Sequence, residues 1–266
     1  MEIKKYIAEF IGTFFLLFAG TGAIIINQLS NNALGHIGVS LVFGFIIVVM
    51  IYACGHISGA HFNPAVTVAF FASGKFNKSA VAPYIVSQVL GALCASALLW
   101  EMFGNQCNLG VTLPSIPVGN NLITVSFIAE FIFTFLLMFV IMSVATDARA
   151  EGSFAGLAIG LTVFIGAAVV GPVSGGSFNP ARSVAPALVS GNLDHLWLYI
   201  IAPVLGAVCA ALIYNFLGNF AVAPVVQQSI TKEIRQVKIN YAINALKSIC
   251  DFSKGKLCET SQMILE

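Results

Sequence analysis

Six apolar stretches, at residues 7–26, 37–54, 81–103, 122–145, 154–170 and 197–216, leave this chain few ways to fold. Each approaches the roughly 20 residues that a helix needs to cross a hydrocarbon core about 30 Å thick. Hydrocarbon offers no partner to a free amide or carbonyl, so a run that crosses it is expected to close its hydrogen bonds within itself, as a helix. The composition agrees: 58% of the 266 residues are hydrophobic, with only 12 basic and 11 acidic side chains, too little polar surface for a soluble globule of that size. The expectation is an all-α membrane protein whose six spans return both termini to one side. The first run follows Lys4 and Lys5 in the manner of a signal peptide. It is longer than such an apolar core and a second span follows closely, so it is read as a retained helix.

Eleven of the twelve Lys and Arg residues fall on one side of a six-span path: Lys4, Lys5, Lys75, Lys78, Arg149 and six between 232 and 256. The bias of basic residues toward the cytoplasm makes that side, and both termini, cytoplasmic. Short loops suit a plasma membrane, including a bacterial inner membrane. Arg182 is the exception and needs a reason. The six cysteines show no metal spacing. Cys54, Cys94 and Cys209 lie in or at the ends of apolar runs, where thiols pack as small hydrophobes, and only Cys107 is expected to face outside. Neither a disulfide framework nor a metal site is expected, and no cofactor is implied.

The chain repeats itself. "AEFIGTFFLLF" at 8–18 returns as "AEFIFTFLLMF" at 129–139, "SGAHFNPAVT" at 58–67 as "SGGSFNPARS" at 174–183, and "YIVSQVLGALCA" at 84–95 as "YIIAPVLGAVCA" at 199–210. Three landmarks recur in one order, so residues 1–110 and 111–224 read as two related halves, followed by a tail, 225–266. Each half holds three spans, an odd number, so the second half enters the membrane from the opposite face and the repeats are inverted.

Asn is among the best helix N-caps and Pro is favoured at the first helical position. Asn63-Pro64-Ala65 and Asn179-Pro180-Ala181 therefore each read as a helix start, with Gly74 and Gly191 as stops. The ten residues 64–73 make about 15 Å of helix, half of a hydrocarbon core of about 30 Å. A lone Asn-Pro usually just opens a turn; two copies at matching repeat positions ask for more. Half-helices entering from opposite faces would meet near the midplane with their positive ends facing, which disfavours cations there. The residues before each cap, Gly59, Ala60, His61 and Phe62, then Gly175, Gly176, Ser177 and Phe178, would be non-helical backbone at membrane depth. That is tolerable where carbonyls line water or are buried in protein. The pattern describes a pore.

At these residues the sequence resembles the aquaporins, the major intrinsic protein family, from about Lys4 to Phe220. "AEFIGTF", "GHISGAHFNPAVT", "AEFIFTF" and "FNPARS" carry the likeness. The resemblance implies six tilted helices plus two re-entrant half-helices, a homotetramer in which each protomer has its own pore, and a single file of water bonded to Asn63, Asn179 and the carbonyls before them. It also implies that the centre excludes protons, and that Arg182 is the arginine of the outer constriction, which accounts for the charge exception. Carried across by spacing, the other filter positions are Phe43, Ala167 and Gly176. Water-specific members usually have His at the position of Ala167 and often Cys or Thr at that of Gly176. Here both are small, so only Phe43 and Arg182 narrow the opening. "GPVSGGSFNPARS" looks most like the nodulin-like plant branch and its bacterial relatives, which pass water with glycerol, urea or neutral metalloid hydroxides. Ser183, where glycerol facilitators usually have Asp, is as in water channels, so a strict water channel is the alternative.

Glu9 and Glu130 are the carboxylates of the apolar spans, at equivalent repeat positions. They read either as a proton relay or as acceptors for the amides of a re-entrant loop; the repeat, and the family's use of the pair, favour loop support. His61 is expected to line the inner vestibule and His56 to be a packing residue. Residues 227–252 show helical spacing of Ile230, Ile234, Val237, Tyr241 and Leu246, an amphipathic helix on the bilayer or a gating segment. A secondary transporter also uses inverted repeats but would offer a buried carboxylate or ion site at the midplane. A membrane enzyme would need a catalytic constellation that the scattered His and Cys do not supply. The expected partners are water, small neutral solutes and lipid, with no nucleic acid.

Overall fold

The computed structural model describes residues 2–115, 121–150 and 152–218. Its long helices are α1 (Glu2–Leu29), α2 (Gly35–Ser58), α4 (Lys78–Phe103), α5 (Leu122–Thr146), α6 (Ala155–Ser174) and α8 (Leu198–Gly218). All six are long and apolar enough to cross a membrane. They extend the apolar stretches by up to five residues at an end because helices continue through the interface until a cap stops them. Gly59 and Gly175, both left-handed, end α2 and α6 by returning their amides to Gly55 O and Gly171 O. The chain divides into a unit Met1–Phe216 and a unit Leu217–Glu266; of the second, Leu217 and Gly218 are described. The expected amphipathic stretch 227–252 lies outside the described residues.

Two short helices complete the first unit, α3 (Pro64–Ala72) and α7 (Pro180–Ser190), of nine and eleven residues. Asn63 and Asn179 are extended and cap them, their Oδ1 atoms accepting from Ala65 N at 2.9 Å and Ala181 N at 3.0 Å. Gly191 stops α7 in the left-handed region. At α3, Ser73 is the cap and Gly74, φ +74°, follows it. Gly74 N and Lys75 N return to Phe71 O and Phe70 O, the paired bonds of a Schellman ending.

Polarity is distributed inside out. Ile7, Phe15, Phe45, Val49 and Val86 point outward, onto the surface that lipid would cover. Thr13, Gln88, Thr134, Glu9, Glu130 and Arg182 are buried, and each makes at least one hydrogen bond to another chain group, as polar groups at membrane depth require. Glycines let the helices approach. A Cβ at Gly91 would lie 2.3 Å from Phe10 O, and one at Gly206 2.3 Å from Phe131 O. Gly44 and Gly160 meet each other, a Cβ on either reaching within 2.7 Å of the other's carbonyl oxygen. Close backbone contact through small residues is how membrane helices gain packing energy without a hydrophobic drive. His56 departs from expectation. It is exposed in the last turn of α2, where a helix end leaves carbonyls that favour a basic side chain.

Candidate functional site

The site forms where α3 and α7 meet. The segments leading into them fold alike: Gly59, Ala60 and Phe62 have φ of 89°, 51° and 48°, and Gly175, Gly176 and Phe178 have 83°, 58° and 56°. Left-handed backbone is costly for a residue with a Cβ, so Ala60, Phe62 and Phe178 need to be held. Two buried carboxylates do this. Glu9 Oε1 accepts from Ser58 Oγ (2.7 Å) and His61 N (3.0 Å), and its Oε2 from Phe62 N (2.7 Å) and Gln88 Nε2 (2.8 Å). Glu130 Oε1 accepts from Ser174 Oγ (2.7 Å) and Ser177 N (2.9 Å), and its Oε2 from Phe178 N (2.8 Å). Tyr84 OH and Tyr199 OH donate to the last carbonyls of α2 and α6, Ser58 O at 2.8 Å and Ser174 O at 2.6 Å.

With their amides turned to the glutamates, the loops present carbonyls to each other's asparagine. Asn63 Nδ2 donates to Phe178 O at 2.7 Å and Asn179 Nδ2 to Phe62 O at 2.8 Å. The two short helices are thus locked N-terminus to N-terminus. Each amide nitrogen has two hydrogens and uses one in this lock. Pro64, Ala65, Pro180 and Ala181 are buried behind the asparagines and do not border the open space.

A cavity of about 280 Å³ runs past this junction. Its lining combines apolar side chains, among them Ile47, Ile51, Val66, Leu137, Ile141 and Ile159, with Gly59, Ala60, His61, Asn63, Ser177 and Asn179. A second cavity, about 410 Å³, opens beside residues 107–111, the side termed upper below, and includes Asn27, Asn32, His36, Cys107 and Gly175. Phe43, Ala167, Gly176 and Arg182 border both cavities, and among the described residues no others do. Arg182 is 2% exposed. Its Nη1 donates to Gly110 O at 2.7 Å and its Cζ stands 5.1 Å from the Phe43 ring centroid, within cation–π range.

Several of these supports do not stand out in the sequence. Thr67 Oγ1 meets both His61 Nδ1 and Gln88 Nε2 at 3.0 Å, tying the first loop to α4. His61 is ringed by Phe70, Phe76 and Tyr84 at 4.8–5.1 Å. At the matching positions of the second half, Ser177 Oγ and Ser183 Oγ are 2.6 Å apart, and Ser183 Oγ reaches Thr112 Oγ1 at 2.7 Å. Thr112 and Gly110 belong to a turn whose Cys107, Asn108 and Leu109 are all left-handed, with no glycine among those three to announce it. Tyr84 and Tyr199 open the third repeated landmark, and that repetition was their available signal.

A family model described as MIP, Major intrinsic protein, matches residues 1–214. The chain belongs to the major intrinsic protein family. As a member of it, with six apolar helices, it is an integral membrane protein. Relatives within the family include aquaporin NIP1-1 of Zea mays, 47% identical over 247 residues, covering 92% of this chain and 85% of the relative. Nodulin-26 of Glycine max is 45% identical over 216 residues, 81% of this chain and 78% of that one. These relatives agree with the nodulin-like branch that "GPVSGGSFNPARS" resembles. The fold is also that of the aquaglyceroporin from Plasmodium falciparum, with a TM-score of 0.74, 24% identity, and coverage of 86% of this chain and 100% of that one.

Proposed function

We propose that this major intrinsic protein is a passive channel for water and small neutral solutes, with Phe43, Ala167, Gly176 and Arg182 as its selectivity filter. The observation that carries this reading is the meeting of two cavities at those four residues alone among the described ones. A solute passing between the cavities passes them. Phe43 supplies bulk and Arg182 a fixed charge and donors, while Ala167 and Gly176 contribute little more than backbone. Such an opening admits glycerol, urea or a neutral metalloid hydroxide as well as water.

Below the filter, the apolar part of the lining gives a water file few partners, so it bonds to the polar groups of the two loops and to the second amide hydrogens of Asn63 and Asn179. Two helix N-termini, each equivalent to roughly half a positive charge, face the centre. Together with Arg182 they oppose cations, and a file whose waters are oriented away from that field on both sides does not relay protons. Glu9 and Glu130 serve as loop supports. The loop, the lock and the supports come once from residues 1–110 and once from 111–224, as two inverted halves would provide. The basic-residue bias favours a plasma membrane, upper side outward and termini cytoplasmic. Family resemblance favours a homotetramer with one pore per protomer.

The test is stopped-flow light scattering on proteoliposomes. Water, glycerol and urea permeabilities should exceed those of protein-free vesicles, with no added proton leak. Water flux at the vesicle background would overturn the channel reading.

A further inference from the structure

α6 carries Pro172 two residues before its end. Proline has no amide hydrogen, so the carbonyl four residues earlier loses its helical donor. That carbonyl belongs to Ala168, next to the proposed filter residue Ala167. Another helix supplies the missing donor: His36, in the first turn of α2, places Nε2 2.8 Å from Ala168 O. A carbonyl only accepts, so in this contact Nε2 carries the hydrogen. The ring fills the notch at Gly171, where a Cβ would lie 2.9 Å from His36 Cε1. Both His36 and Gly171 border the upper cavity.

The arrangement is particular to this mouth. Pro83, Pro186 and Pro203 also lie inside helices. Among the described residues, however, no side chain donates to the carbonyls of Ser79, Arg182 or Tyr199, which stand four residues before them. The position of α2 that matches Pro172 in the repeat is His56, which keeps its amide.

We propose that His36 is a positioning residue for solute selection: by donating to the carbonyl that Pro172 orphans, it latches α6 to α2 and holds the Ala167 wall against Phe43 and Arg182. This rests on the channel reading above. Without the latch, the Ala168 carbonyl turns to vestibule water and the wall relaxes. Water fits the opening either way, whereas a larger solute gains.

The experiment is the glycerol-to-water permeability ratio of proteoliposomes carrying wild type, His36→Ala, His36→Gln, Pro172→Ala and the Pro172→Ala/His36→Ala pair. Selection at a narrow pore depends on its diameter and lining groups, so His36→Ala should raise the ratio by about threefold. His36→Gln, whose amide can reach the same carbonyl, should stay near wild type. Pro172→Ala returns a backbone donor to Ala168 O, so there the added effect of His36→Ala should shrink to less than about 1.5-fold, the coupling expected of residues sharing one bond. An unchanged ratio in His36→Ala with normal water flux overturns the latch and leaves the channel reading intact. So does an equal rise in both backgrounds, which would mean that ring volume alone matters. Wild type passing no water overturns the channel reading and the latch with it. Should Pro172→Ala fail to insert, the contrast between His36→Ala and His36→Gln decides: equal ratios in the two overturn the latch.

Discussion

Glu130 shows how much of this site hangs on single atoms. Its two oxygens receive two consecutive loop amides and a serine hydroxyl. Glutamine keeps the shape but turns an NH2 toward a donor, so one buried amide loses its acceptor. Hydrogen bonds to charged groups contribute about 1.5–3 kcal/mol; Glu130→Gln should lower stability by about that amount and reduce water flux, because the loop that bears Phe178 O slackens. Thermal unfolding in detergent beside Glu101→Gln, an exposed control, measures it, and equal melting of the two would contradict the role. At this scale the sequence was partly legible. A carboxylate in an apolar run, repeated 121 positions later, is conspicuous because burial without partners is so unfavourable. Thr112, Gly110 and His36 were not legible, since each acts through a backbone or side-chain contact between residues far apart in sequence, and no local pattern records such a contact.

Among the elements, crossings matter more than spans. Gly91 and Gly206 touch the backbone of α1 and α5, and backbone cannot step aside. Gly91→Ala should therefore abolish or sharply reduce membrane insertion of folded protein. Gly22→Ala meets only Leu99 Cδ2 at 3.5 Å and should be neutral or stabilising by up to about 1 kcal/mol, the helix preference for Ala over Gly. Size-exclusion profiles of the two solubilised variants test this; a monodisperse, fully yielded Gly91→Ala would contradict the packing. The half-helices were legible because Asn-Pro at the start and Gly at the end are local signals. The exposure of His56 was not, because helix rotation is set by neighbours.

The connection after α5 makes a further prediction. Asp147 accepts from Arg149 Nε at 2.8 Å, from Arg149 N at 3.0 Å and from Tyr214 OH at 3.0 Å. The Arg149 side chain, its amide and the Tyr214 hydroxyl hold the Asp147 carboxyl well below the usual carboxylate range. With the folded value depressed, its contribution is present above the unfolded value and fades only as pH falls through the lower folded one. The turn should persist from neutral pH down to about pH 4, near the ordinary Asp value. Asp147→Asn should make the bond after Arg149 several-fold more sensitive to trypsin at neutral pH; an unchanged cleavage rate would show that the carboxylate does not hold the turn.

For the whole molecule, six spans and two facing half-helices were expected from the apolar runs and the repeats, and the described residues form them. Periodicity and length suffice there because the bilayer forbids most alternatives. The shape of the passage was less legible. That Phe43, Ala167, Gly176 and Arg182 border both cavities depends on where four separate segments meet, and the sequence alone supplied only their spacing from the two asparagines. Their small members make the central claim of a relaxed filter. The most direct measurement is stopped-flow permeability of Ala167→His against wild type, for water and glycerol in the same proteoliposomes. An imidazole at 167 adds bulk and a hydrogen-bonding group between Phe43 and Arg182, so glycerol flux should fall by about tenfold or more while water flux stays within about twofold. Wild type that passes water alone, or a histidine variant that keeps its glycerol flux, would contradict the account.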